Sequence, residues 1–104
     1  MIFIRISSHN EKVIEQVACL LLEEQLVIDV NIKRSIDRAC LIDGKISFSK
    51  IYLLTAKTKG LLFPTIDGLI KKRFINESFE IYSLPIVHMD WEEAKRLTEE
   101  IKQV

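Results

Sequence analysis

The sequence predicts an α+β protein in which helices cover one antiparallel sheet, and three observations support that class. Apolar residues alternate with period two at Ile2, Ile4 and Ile6 and again at Ile28, Val30 and Ile32. Between these runs, Val13, Ile14, Val17, Ala18, Leu20 and Leu21 recur at helical spacing. Asp43-Gly44 then supplies the positive backbone angles of a tight hairpin turn between two long patterned arms.

The first strand runs from Met1 to about Ser7. Ser8 stands three residues before Glu11, the spacing of a capping box, and Asn10 could cap instead; either choice starts a helix near residue 10. That helix leaves Glu11, Lys12, Glu15, Gln16, Glu23 and Glu24 for water. The second strand begins at Ile28, whose apolar partners alternate with Asp29, Asn31 and Lys33, and extends through Ile36 towards Ile42. The third returns from Lys45. Its apolar parity changes between Ile46, Phe48 and Ile51, Leu53, so a one-residue bulge is expected near Ser49-Lys50. Each hairpin arm exceeds ten residues, against a usual strand of about five or six. Arms of that length must project beyond the helix-covered sheet. Pro64 suits the first turn of a second helix, with Phe63, Ile66, Leu69, Ile70 and Phe74 facing inward. A last strand is expected from Phe79 to Val87, with Pro85 near its end suggesting an edge or bulge position, and Trp91, Ala94, Leu97 and Ile101 space out a closing helix. The order βαββαβ plus a C-terminal helix interleaves two split β-α-β units. Connection handedness and the hairpin then give a ferredoxin-like antiparallel sheet of order 4-1-3-2 in a single domain, residues 1–104.

Composition narrows the function classes. Fifteen acidic and fifteen basic residues cancel, which leaves no global field for phosphate backbone or anionic membrane. Nucleic acid and membrane are not expected partners. The apolar runs Met1 to Ile6 and Val17 to Leu22 are short or broken by charge, well below the ~20 residues of a membrane span. The expected location is therefore cytoplasmic. Cys19 and Cys40 lack C-x-x-C spacing and are expected to be buried, reduced thiols.

Catalytic signatures are not found: there is no G-x-S-x-G, H-E-x-x-H, GxxxxGK[ST] or GxGxxG, so no enzyme is expected. Topology places His9 and the approach to the last strand, Asn76 and Glu77, at one pole of the sheet, and His88 at the other. His9 and Glu77 are thus the candidate metal ligands, within one chain or across an interface, and a divalent ion is the one cofactor these residues suggest. Asp29 could offer oxygen to a hard cation, although a carboxylate on a strand's polar face usually pairs with a nearby Lys or Arg.

The run Leu22-Glu23-Glu24-Gln25-Leu26-Val27-Ile28-Asp29-Val30-Asn31-Ile32 resembles the helix-to-strand signature V-E-E-R-L-A-A-C-V-N-I of the CutA divalent-cation-tolerance family. Asp43-Gly44-Lys45-Ile46 is similar to its E-G-K-I, Leu53-Leu54 with Lys57-Thr58 to its L-L-x-x-K-T, and Leu84-Pro85-Ile86 to its A-L-P-V. The likeness covers residues 1 to about 86. It implies a ferredoxin-like subunit, a noncatalytic homotrimer and a role in the response to divalent metal ions. Phe74-Ile75-Asn76-Glu77-Ser78-Phe79-Glu80 stands where the family has H-P-Y-E-x-P-E, Asp29 replaces its cysteine and Ile42 its tryptophan. A copper site built on that His or Cys therefore does not transfer. The trimer would also cover Ile32, Ile36, Ile42, Ile46, Phe48 and Ile51, which the long arms are expected to expose. The alternative is a PII-like trimeric sensor that takes a small anion or nucleotide at subunit clefts, with Lys57, Lys59, Lys71, Lys72 and Arg73 as its cations. An enzyme using Glu77 and Glu80 ranks third.

Overall fold

The computed structural model describes residues 1–102. Its first strand, β1, spans Ile2–Ser8, and helix α1 follows over Glu11–Glu23. Asn10 is the cap of α1: its side-chain oxygen accepts from the amides of Lys12 at 3.1 Å and Val13 at 3.4 Å. Ser8 instead accepts from the Asn10 amide, and Glu11 turns outward to pair with Arg34. The helix stops at a left-handed Gln25, with φ of 56°. Leu26 N–H donates back to the Leu21 carbonyl at 3.0 Å and Gln25 N–H to that of Leu22 at 3.1 Å, the two bonds of a Schellman ending.

Strands β2 (Ile28–Ile42) and β3 (Lys45–Thr58) form the long hairpin, closed by Asp43 and Gly44 at φ of 52° and 78°. After the short 3-10 turn Gly60–Leu62 comes α2 (Phe63–Arg73), with Pro64 in its first turn, then β4 (Glu80–Pro85) and α3 (Trp91–Glu100). The sheet order is β2-β3-β1-β4 with every pair antiparallel, as expected. β4 is a shorter edge strand than the sequence suggests, and Pro85 is its last residue. The Ile86 amide donates to the Met1 carbonyl at 3.2 Å, so alternation turns the nitrogen of Pro85 to the open edge, where no ladder bond needs it.

Between sheet and helices lies one core. Ile4 and Ile6 of β1, Leu54 and Ala56 of β3, and Ile14, Val17 and Leu21 of α1 meet Ile66 and Ile70 of α2 and Leu97 of α3, with Ile101 just beyond it, all buried. Thr58 is also buried, and its hydroxyl donates to the Leu26 carbonyl at 2.6 Å, which ties the end of β3 to the turn after α1. Trp91 is not part of this core. It is 78% exposed, and α3 reaches the apolar cluster through its later turn, at Leu97.

Two further expectations change. β3 has no bulge near Ser49-Lys50: its alternation runs unbroken, so Ile46 and Phe48 stay on one face and Ile51 and Leu53 on the other. The extra residues of the hairpin lie in β2, where the register slips by one between Ile28 and Asn31 and by one between Lys33 and Ile36. Asp29 and Ser35, one in each slip, have φ of 52° and 54°, the left-handed residues of two β-bulges. The cysteines are free as expected but exposed, since Cys19 lies on the outer side of α1 and Cys40 on the projecting part of β2.

β1 ends opposite Tyr52, so from Ile51 to the turn β3 has β2 as its one strand neighbour among the described residues. This bare ribbon makes the molecule 47 Å long and 20 Å thin, with a radius of gyration of 14.8 Å against roughly 13 Å for a compact domain of this length. Leu41, Ile46 and Phe48 on the ribbon are 72%, 71% and 76% exposed. Ile51, by contrast, is 5% exposed, and Ile32 and Ile36 are half-buried. These three sit within the four-stranded part of the sheet or directly at its border.

Candidate functional site

The strand register creates a polar notch at the pole where β1 ends and β4 begins. Ser7 pairs with Glu80 across these strands, and the Ser7 hydroxyl donates to Glu80 Oε1 at 3.0 Å. Arg38 reaches over from β2 and forms an ion pair with the same carboxylate oxygen. Together with Ser8, His9, Ile51, Ser78 and Phe79 they line a notch of about 90 Å³. The Arg38 guanidinium, followed by the Ser7 hydroxyl, holds the Glu80 carboxyl below its ordinary value. A carboxylate so engaged is kept charged, which suits charge pairing better than proton transfer.

His9 is exposed at the rim, with Nδ1 3.1 Å from the Lys50 carbonyl oxygen. A carbonyl can only accept, so Nδ1 carries the proton in this contact and the lone pair of the neutral ring is on Nε2. That is the orientation a metal-binding imidazole usually adopts. Glu77 is exposed in the loop before β4 and does not line the notch. The carboxylate that converges with His9 is Glu80, which the sequence reading assigned only to an enzymatic alternative. Among the described residues, no group of three or more His, Cys, Asp or Glu side chains is placed to hold a metal ion.

Asp29 is placed by the first bulge against α3, where Arg96 donates to both its oxygens, at 3.0 and 3.1 Å. This fork lowers the Asp29 carboxyl and raises the Arg96 guanidinium, to which Glu100 adds a second partner at 2.9 Å. The position aligned with the family's cysteine thus serves as a strand-to-helix tie. His88 lies at the opposite pole, in a groove of about 490 Å³ with Phe3, Lys57, Leu84, Met89, Asp90 and Glu93. No residue lines both this groove and the His9 notch. Three of the five cations considered for an anion cleft already have partners: Lys57 pairs with Glu93, Lys71 with Asp67, and Lys59 donates to the Lys102 carbonyl. No described helix is long and apolar enough to cross a membrane.

A four-stranded antiparallel sheet of order β2-β3-β1-β4 backed by helices, with an overlong β2-β3 hairpin, defines a ferredoxin-like domain. Comparison with known proteins agrees. The family model described as "CutA1 divalent ion tolerance protein" matches residues 2–100, and the chain belongs to that family. It is similar to the divalent cation tolerance protein of Thermus thermophilus, at 27% identity, with 98% of this chain and all of that one covered and a TM-score of 0.85. The periplasmic divalent cation tolerance protein CutA of Archaeoglobus fulgidus matches at 25% identity over 98% of this chain and all of its own, with a TM-score of 0.85. CutA1 of Oryza sativa shares the fold at 21% identity, with 99% and 94% coverage and a TM-score of 0.88. A search of curated protein sequences finds no match.

Proposed function

We propose that this chain is a noncatalytic homotrimer acting in the response to divalent metal ions. Family membership supplies the link to divalent ions, and the observation that carries the assembly is the bare hairpin ribbon, whose Leu41, Ile42, Ile46 and Phe48 face water. A two-stranded ribbon is marginal alone in water, and burying its side chains returns ~25 cal/mol per Å². A closed ring gives every copy the same cover.

The noncatalytic reading draws on the charge pattern. Every shifted group is an Arg or a carboxylate held more firmly in its charged form by an ion pair. General acid-base work needs the reverse, a group poised near neutral pH. His9 is the proposed metal contact through Nε2. Glu77 joins it only if a neighbouring copy or loop movement brings the two together, and Glu80 must first give up part of its hold on Arg38. The exposed free thiols suit a reducing, cytoplasmic location.

Light scattering at micromolar concentration is expected to give three times the chain mass. Thermal shift with zinc, copper, nickel and magnesium should show a metal-selective rise, because a ligand of the folded state stabilises it by linkage, and His9→Ala should remove that rise. A monomer refutes the assembly. A nucleotide-selective rise, or turnover of any screened compound, refutes the functional reading.

A further inference from the structure

We propose that Arg5 is a docking point for a carboxylate presented by a second copy of this chain, an inference that rests on the assembly proposed above. Residues alternate along β1, so Arg5 and Ser7 point away from the face that carries Ile4 and Ile6 into the helix-packed core. On that outer face Arg5 stands opposite Thr55 of β3 and Tyr82 of β4. Its guanidinium carbon lies 5.6 Å from the centre of the Tyr82 ring, within cation-π range. Around it, Ile36, Ala39, Ile51 and Leu53 together with Ser7, Asp37 and Arg38 line a groove of about 370 Å³ of mixed polar and apolar character.

The guanidinium is incompletely satisfied. Arg5 Nε is buried and has no hydrogen-bond partner, and Arg5 makes no ion pair among the described residues. Arg38 lines the same groove but is committed to Glu80, and Asp37 is committed to Lys50. Nε itself is closed to an incoming group, so a docked carboxylate would meet the terminal nitrogens of Arg5 in the groove, whose fork matches a carboxylate in a way no apolar partner does.

A second copy fits this groove for two reasons. The groove is continuous along β2 and β3 with the ribbon that needs cover, and its Arg5 and Tyr82 are of the residue types that anchor interfaces. Charge is complementary as well. Asp43 at the ribbon tip makes no ion pair among the described residues and is flanked by exposed Leu41, Ile42 and Ile46. Such a carboxylate is the complement of a guanidinium that, like it, makes no ion pair among the described residues.

The test measures subunit dissociation by dilution for the wild type, Arg5→Met, Arg5→Lys and Tyr82→Ala, with circular dichroism to confirm folding, and repeats thermal melts with benzoate as a free carboxylate. Arg5→Met is expected to raise the dissociation constant about 30-fold or more, since a buried charge has lost its partner. Arg5→Lys should recover part of the loss and Tyr82→Ala should fall between the two. If Arg5→Met unfolds, the Arg5→Lys and Tyr82→Ala pair decides, and wild-type dissociation in both overturns the inference. Wild-type dissociation in a folded Arg5→Met overturns it while the assembly stands. A monomeric wild type removes the assembly and this inference together. Stabilisation of the wild type by benzoate that Arg5→Met abolishes, with assembly unaffected, assigns the site to a free carboxylate and overturns the second copy as occupant.

Discussion

The two halves of the hairpin use the same kinds of residue with opposite results. In the basal half, Leu54 and Ala56 are buried against Ile4, Ile6 and the helices. In the distal half, Ile46 and Phe48 lie on the same face of the same strand, further towards the turn, and remain exposed. Apolar patterning is equal in both. What differs is cover: the basal half has β1 beside it and α1 above it, and the distal half has β2 alone. A single chain thus completes its own core and leaves a second apolar surface for a partner.

The sharpest way to break the contrast is to cut side chains from each half in turn. Leu54→Ala removes a fully buried side chain from the inner strand and is expected to cost ~2–5 kcal/mol in urea unfolding, because the site cannot collapse around the cavity. Phe48→Asp should leave the secondary structure unchanged by circular dichroism but reduce the particle mass towards that of one chain. The lost burial is worth ~1.5–3 kcal/mol per copy in the assembly. Equal losses of fold stability from both changes would erase the distinction.

A smaller effect is expected at the start of α1. Asn10→Ala deletes the oxygen that serves two amides and should cost ~1 kcal/mol, read as a drop in melting temperature. It should leave the mass in light scattering unchanged, since the cap lies far from the ribbon tip. The smallest effect is acid loss. Glu80 and Asp29 have folded values below their ordinary 4.5 and 3.8, so each contributes stability that is present above the unfolded value. That contribution fades as the pH falls from there through the depressed folded value. Unfolding free energy should therefore decline below about pH 4.5, and Arg38→Met with Arg96→Met should flatten the decline. Both carboxylates are substantially exposed, so solvent screening keeps the effect modest.

The notch shows why a site is harder to read than a fold. Glu77 and Glu80 are both acids near the start of the last strand, and alternation alone cannot say which meets β1. Register decides it: Glu80 is the residue opposite Ser7, and Glu77 precedes the strand. Arg38 arrives from a strand two places away, in a register already shifted by two bulges. The parity change was legible in the third strand, but it reflects apolar residues on both faces of a regular strand, not a bulge, and alternation alone does not tell the two apart. Left-handed Ser35 leaves no strong mark in sequence, as Gly would. Trp91 illustrates the same point, because helical spacing names a face without saying which turn of the helix reaches the core.

By itself the sequence determined the element order, the strand order, the hairpin turn at Asp43-Gly44 and the helix stripes, because each depends on local periodicity or on connection rules that few topologies satisfy. The tertiary structure alone decided that Glu80 meets Ser7 and Arg38, that Asp29 ties to Arg96, and that Arg5 Nε is left without a hydrogen-bond partner among the described residues. These are contacts between residues distant in the chain, and such pairings are set by cross-strand register and helix placement, which no local pattern encodes.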